Sequence, residues 1–130
     1  MMRAVRRPSL FAAALGSVLL WAVAAHPADR FLRGIEDLPL MPGLAETPDA
    51  GVVFDTPSGR IVQTEASGRV SRDRVLTFYA ETLPQLGWQA VAPGLFRREG
   101  EELRIEFDET GDPGITVRFA LSPASGVGKP

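Results

Sequence analysis

Between Glu102 and Asp108 the chain alternates strictly: Leu103, Ile105 and Phe107 are apolar, whereas Glu102, Arg104, Glu106 and Asp108 are charged. Ile115, Val117, Phe119 and Leu121 repeat the rhythm beyond Thr110–Gly114, a loop containing Asp-Pro-Gly. Successive side chains of a strand point to opposite faces, so this pattern predicts antiparallel strands that are dry on one face and wet on the other. A sheet of that kind must have its apolar face covered, and this requirement constrains the fold more than any other feature of the chain.

The cover is legible upstream. Ser71 offers an N-cap oxygen and Asp73 places negative charge in the first helical turn. Val75, Tyr79, Leu83 and Leu86 recur at helical spacing, and Leu76 and Phe78 widen the stripe. Gly87 suits a left-handed helix end, and Pro84 breaks the hydrogen-bond ladder before it. The pattern predicts one helix over Arg72–Leu83, with the turn to Leu86 kinked or separate. Ahead of it, Gly51–Asp55 and Arg60–Ala66 flank Thr56-Pro57-Ser58-Gly59, a hairpin signal. Behind it, Trp88–Val91 and Leu95–Arg98 read as short strands on either side of Ala92-Pro93-Gly94, and Glu99-Gly100-Glu101 reverses the chain into Glu102. The order ββαββββ predicts an α+β domain over residues 51–122: an antiparallel sheet of five to six strands with one helix packed on one face. Residues 123–130 lack a core-forming pattern and are expected to be a disordered tail.

The first fifty residues divide in two. Arg3, Arg6 and Arg7 precede an uncharged apolar run, Leu10–Ala25, that ends in small residues. Ala22-Val23-Ala24 and Val23-Ala24-Ala25 are both suitable cleavage sites, so residues 1–25 read as an export signal. Sixteen helical residues span about 24 Å, short of a hydrocarbon core of about 30 Å. Ser9 and His26 stretch the span, so an inner-membrane anchor over residues 9–26 stands as the alternative, preceding the domain as a signal or anchor helix. Pro8-Ser9 follows Arg6-Arg7 where a twin-arginine signal prefers apolar residues, so those arginines read as ordinary n-region charges. Residues 26–50 contain Pro27, Pro39, Pro42 and Pro48 and hold no regular period. Gly34–Leu44 nevertheless carries Ile35, Leu38, Leu40, Met41 and Leu44, which predicts an extended strap laid on the domain, with residues 45–50 as a linker. Such a strap would matter, because a domain this small buries only about 60% of its unfolded surface.

Charge and composition exclude several functions. Cleavage after Ala24 would leave eleven basic and sixteen acidic residues, a net charge of −5. An acidic chain is poorly suited to nucleic acid, and contact with a membrane is expected only through an uncleaved N-terminal segment. Cysteine is absent, which removes disulfides, thiolate catalysis and cysteine zinc sites. The single histidine, His26, sits beside the cleavage site, away from any preformed pocket. Carboxylates remain, but a paired-carboxylate hydrolase needs two acids across a cleft, for which so small a domain has little room. No catalytic residue, metal site or cofactor is assigned.

Val75–Trp88, with Phe78-Tyr79 on the helix and Leu83-Pro84-Gln85-Leu86-Gly87-Trp88 at its end, resembles a group of small exported bacterial proteins of unknown function. In these, a Phe-Tyr helix ends in Leu-Pro-x-x-Gly-Trp and is followed by a strand, a charged turn and further strands. The resemblance covers residues 50–122. It implies the α+β fold and brings no reaction or ligand.

Two sets of residues are candidates for binding. Arg97, Arg98, Arg104 and Arg118 could gather into a basic spot, and Arg104 and Arg118, with Glu106, occupy outward positions of neighbouring strands where a carboxylate or phosphate could be gripped. Leu38, Leu40 and Met41 in the strap, or an uncovered strand edge, could receive an envelope protein partner by strand addition. The leading expectation is a non-catalytic interaction or accessory domain; the alternative is a periplasmic small-molecule or metal binder using the charged sheet face. The acidic stretch Glu99–Asp112 lacks calcium-loop spacing, and Arg104 interrupts Glu102 and Glu106 on one face, as expected of a solvated, ion-paired surface. That reading predicts an unchanged melting temperature at millimolar calcium; an upward shift would show a site.

Overall fold

The computed structural model describes residues 30–111 and 114–124. Its elements are β1 (Ala45–Glu46), β2 (Val52–Thr56), β3 (Gly59–Gly68), α1 (Arg72–Thr82), a 3₁₀ turn (Leu83–Leu86), β4 (Gln89–Ala92), β5 (Leu95–Arg98), β6 (Glu101–Asp108) and β7 (Ile115–Pro123). All pairings are antiparallel. The sheet runs β1-β3-β7-β6-β5-β4, with β2 beside β3 on the same edge as β1. The α+β reading therefore holds, with seven strands in place of five or six. The additional strand, β1, lies inside the segment expected to be a linker: the Thr47 N–H donates to Glu65 O at 2.7 Å, and Ala45 and Glu46 pair with Ser67 and Ala66. At the other end β7 extends to Pro123, which therefore belongs to the sheet rather than to a tail, and the Ala124 N–H donates to Gly100 O of the β5–β6 turn at 2.7 Å. The signal or anchor over residues 1–25 and the remainder of the tail lie outside the described residues.

The helix forms where its cap and stripe place it. Ser71 Oγ accepts from the Arg74 N–H, and Val75 and Tyr79 are buried. After Thr82 the chain tightens into the 3₁₀ turn, with Pro84 in its first positions, where a missing donor costs little. Gly87 ends it at a φ of 90°, sending Trp88 towards the core.

The strap is not extended. It doubles back on itself: the Leu32 N–H reaches Leu38 O at 2.9 Å, the Leu40 N–H reaches Arg30 O at 2.7 Å, and Phe31 bridges to Pro39. Coiling this way converges its apolar side chains, so Leu32, Ile35, Leu38, Met41 and Leu44 are all buried in the same core as the helix and sheet. An extended strand would have turned alternate residues to water.

Tyr79 ties the three parts together. Its ring meets Phe119 of β7 edge-on at 5.4 Å, while its hydroxyl donates to Pro39 O at 2.8 Å and accepts from the Met41 N–H at 3.2 Å. Burial pushes this hydroxyl well above the ordinary phenol range, so it remains protonated and able to do both. A second tie is the Glu46 carboxylate, which accepts from the Arg33 N–H at 3.0 Å and from the buried Thr64 hydroxyl at 3.1 Å. The strap also approaches β3 closely: a Cβ on Gly68 would collide with the Gly43 backbone.

Replacing Tyr79 by Phe should therefore cost about 1–3 kcal/mol through the stranded Met41 and Pro39 groups. Leu38→Ala should cost about 2–5 kcal/mol if the strap is core rather than ornament. Urea unfolding measures both, and a negligible loss in Leu38→Ala would show the strap to be dispensable.

Candidate functional site

The outer sheet face carries the charged residues singled out from alternation, and the register decides what becomes of them. Glu106 sits directly opposite Arg118, which is opposite Glu65 on β3. Arg118 closes on Glu65 at 2.9 Å and lies 3.9 Å from Glu106. Arg104 is opposite Ala120, one row away, and turns instead to Glu102 at 3.3 Å. Glu102 also accepts from Arg97, its partner across β5, at 3.1 Å. Thus Glu106 and Arg118 are brought together, Arg104 is drawn off, and each guanidinium already has a carboxylate. A small depression of about 210 Å³ includes Glu106 and Arg118 but not Arg104. A ligand anion would have to compete with carboxylates already in place.

The strap candidates are placed equally clearly. Leu38 and Met41 are buried, and Leu40 is half-buried against the same core. Leu38 and Met41 spend their apolar surface within this molecule, whereas Leu40 stays partly exposed.

At one end of the sheet a cleft of about 710 Å³ opens between the strap turn, the end of the 3₁₀ turn and the β5–β6 hairpin. Trp88 lines it from a buried position, and the Arg98 guanidinium lies 4.4 Å over its ring while donating to Leu86 O at 2.9 Å. Among the described residues the Trp88 indole N–H has no partner. Arg60 lines the same cleft, as do Glu36, Asp37, Glu99 and Glu101. The wall is mixed in sign and open, its charged groups among the described residues being arginines and carboxylates. Among the described residues no group of three or more acidic or histidine side chains converges as a metal site would require.

The uncovered strand edge, which the residues alone could not assign to a strand, is at the opposite margin. β2 pairs with β3 on one side, and its other side is unpaired among the described residues. Val52 is 40% exposed, Val53 55% and Phe54 56%. Three consecutive apolar residues in a short strand ordinarily signal burial on both faces. Here they lie on an edge. Val53 shares the face of buried Val62 but overhangs the strap at Gly34, while Val52 and Phe54 share the outer face with Gln63 and Ile61. A hairpin that opens a sheet leaves one of its strands on the margin, and this was the available signal. The edge is lightly protected: within Val52–Thr56 there is no lysine, proline or bulge, and Asp55 is its one charge. A groove of about 370 Å³ runs beside it, between Arg33–Gly34 of the strap and the loop through Pro48.

Neither protein-family models, nor curated proteins, nor solved structures yield a match to this chain.

The charged face has a consequence for acid stability. The hydrogen bond from Arg97 holds the Glu102 carboxyl below the usual carboxylate range, with Arg104 adding to the effect. A depressed folded value means that the unfolded chain takes up the proton first, so the stabilisation is complete above the unfolded value of about 4.3 and is lost as pH falls through the folded one. Glu102→Gln should accordingly show a smaller drop in urea midpoint between pH 7 and pH 3 than the parent. Equal drops in the two proteins would remove Glu102 from the account.

Proposed function

We propose that this chain is a small exported, non-catalytic protein of the cell envelope whose domain docks a protein partner by strand addition along β2. The carrying observation is the edge itself: three exposed apolar side chains on a strand whose outer row of backbone donors and acceptors is unpaired among the described residues. An incoming extended segment would complete those hydrogen bonds, and pockets for alternate side chains would supply selectivity. Export is supported by Arg3, Arg6, Arg7 and the apolar run Leu10–Ala25, with the periplasm as the destination; residues 9–26 serve as an inner-membrane anchor if they are not cleaved. The charged sheet face supports the ligand-binding alternative less well, because Arg97, Arg104 and Arg118 are each engaged by Glu102 or Glu65.

A photocrosslinking side chain at Val53, introduced in living cells, should yield a discrete protein adduct that disappears when Phe54→Lys is added. The same probe at Arg104 on the charged face should yield none. Phe54 is exposed, so the lysine variant should keep its stability within about 0.5 kcal/mol, which an unfolding curve verifies. Adducts from Arg104 but not Val53 would transfer the function to the charged face.

A further inference from the structure

We infer that the occupant of the β2 edge is the β2 edge of a second copy of this chain, joined antiparallel about a two-fold axis through Val53. This inference rests on β2 being the docking edge and adds the identity of what docks.

The strand is complementary to itself. In an antiparallel pair, directly opposed side chains lie on the same face, so each register can be tested against Gly51-Val52-Val53-Phe54-Asp55. With Val53 opposite its own copy, Val52 faces Phe54 twice and Asp55 faces Gly51 twice. Every apolar side chain then meets an apolar one, and the only charge on the strand meets a residue with no side chain. Moving the axis to Phe54 places Asp55 opposite Val53 and Val52 opposite Thr56. Moving it to Val52 places Asp55 opposite Asp49, two carboxylates face to face, which is unfavourable. An axis between residues would oppose each residue to its own neighbour's copy, a side chain of the other face, which a two-fold perpendicular to the sheet forbids. The Val53 register alone satisfies both polarity and charge.

The faces agree with that register. A two-fold axis perpendicular to the sheet keeps each face on its own side. Val52 and Phe54 of both copies would then form an apolar cluster on the outer face, continuous with Ile61, which is paired with Phe54 in each copy. On the inner face the two Val53 side chains would meet, each backed by buried Val62. From β3 to β5 the outer face carries Glu65, Arg118, Glu106, Arg104, Glu102 and Arg97, whereas this margin presents apolar side chains.

Closure favours a second copy over an open chain of molecules. An edge paired with itself is isologous and is consumed by one contact, so assembly stops at two. A lightly protected apolar edge left free would template indefinite pairing. A single strand pair is a small contact beside the roughly 800 Å² per partner of a standard complex, so the dimer should be concentration-dependent.

The chain has no cysteine, which makes the geometry directly testable by single introduced thiols. Val53→Cys should oxidise to a disulfide-linked dimer of twice the chain mass, because residues opposed across an antiparallel pair have Cα atoms about 4.5–5.5 Å apart, within the roughly 4.4–6.8 Å that a disulfide spans. Val52→Cys alone should link poorly, since its own copy lies on the diagonal, about 7–8 Å away. The double variant Val52→Cys/Phe54→Cys should link efficiently, through residue 52 of one copy and 54 of the other. Val91→Cys, exposed on the far edge strand β4, serves as the encounter control and should remain monomeric. Linking at Val91 as readily as at Val53, or no linking at Val53 in a protein with a normal unfolding curve, overturns the dimer. A Val53 photoadduct with a different protein, in cells where Val53→Cys does not link, would overturn the second copy and leave strand addition along β2 standing.

Discussion

Tyr79 of the helix is held by two elements distant from it in sequence, the strap and the sheet, and the architecture depends on its being held by both. Its ring rests on Phe119 of the sheet, and its hydroxyl spans the carbonyl of Pro39 and the amide of Met41. Without the strap, the helix would leave part of the apolar face of β3 and β7 uncovered; without the helix, the strap would have no partner for backbone groups that its own turns do not satisfy. A buried polar group is tolerable only when fully paired, and here one hydroxyl settles a donor and an acceptor of an irregular segment at once. The strap is thereby part of the core, which is how a domain with one helix and no disulfide gathers enough buried surface.

The two faces of the sheet then separate in role. The inner face is spent on packing. The outer face is spent on a ladder of ion pairs, Arg97–Glu102–Arg104 and Glu65–Arg118–Glu106, which keeps it solvated and neutralises its own charges. Exposed pairs of this kind contribute little each, and their effect is to discourage adhesion rather than to bind. Against that background the lightly guarded margin at Val52–Phe54 stands out as the surface on which interaction is least opposed, which is why both functional inferences converge there.

Much of the architecture is legible in the residues because its causes are local. Alternation at Leu103–Phe107 and Val117–Leu121, the cap at Ser71, the stop at Pro84 and Gly87 and the turn at Pro57–Gly59 all act within a few residues. The site was less legible. Arg104, Glu106 and Arg118 were correctly placed on one face, but whether they converge depends on the β6–β7 register, which sets Arg104 a row away from the other two. Leu38, Leu40 and Met41 looked available for a partner because nothing in an irregular, proline-rich segment states that it coils. Val52–Phe54 could be read as a strand but not as an edge, because a run of apolar residues carries no information about how many neighbours its strand has. The two-residue strand β1 is too short to have any pattern at all.

The chain by itself determined the class of fold, the identity of the wet and dry faces and the span of the helix, since side-chain period and capping chemistry operate over one or two turns. Tertiary structure alone decided that β3 pairs with β7, that Glu65 meets Arg118 across 53 positions, that the strap joins the core, and that β2 is left on the margin. Those are outcomes of long-range pairing, where the gain from covering apolar surface is weighed over the whole molecule. Exposure of an edge is a property of the assembled sheet and of no single segment within it.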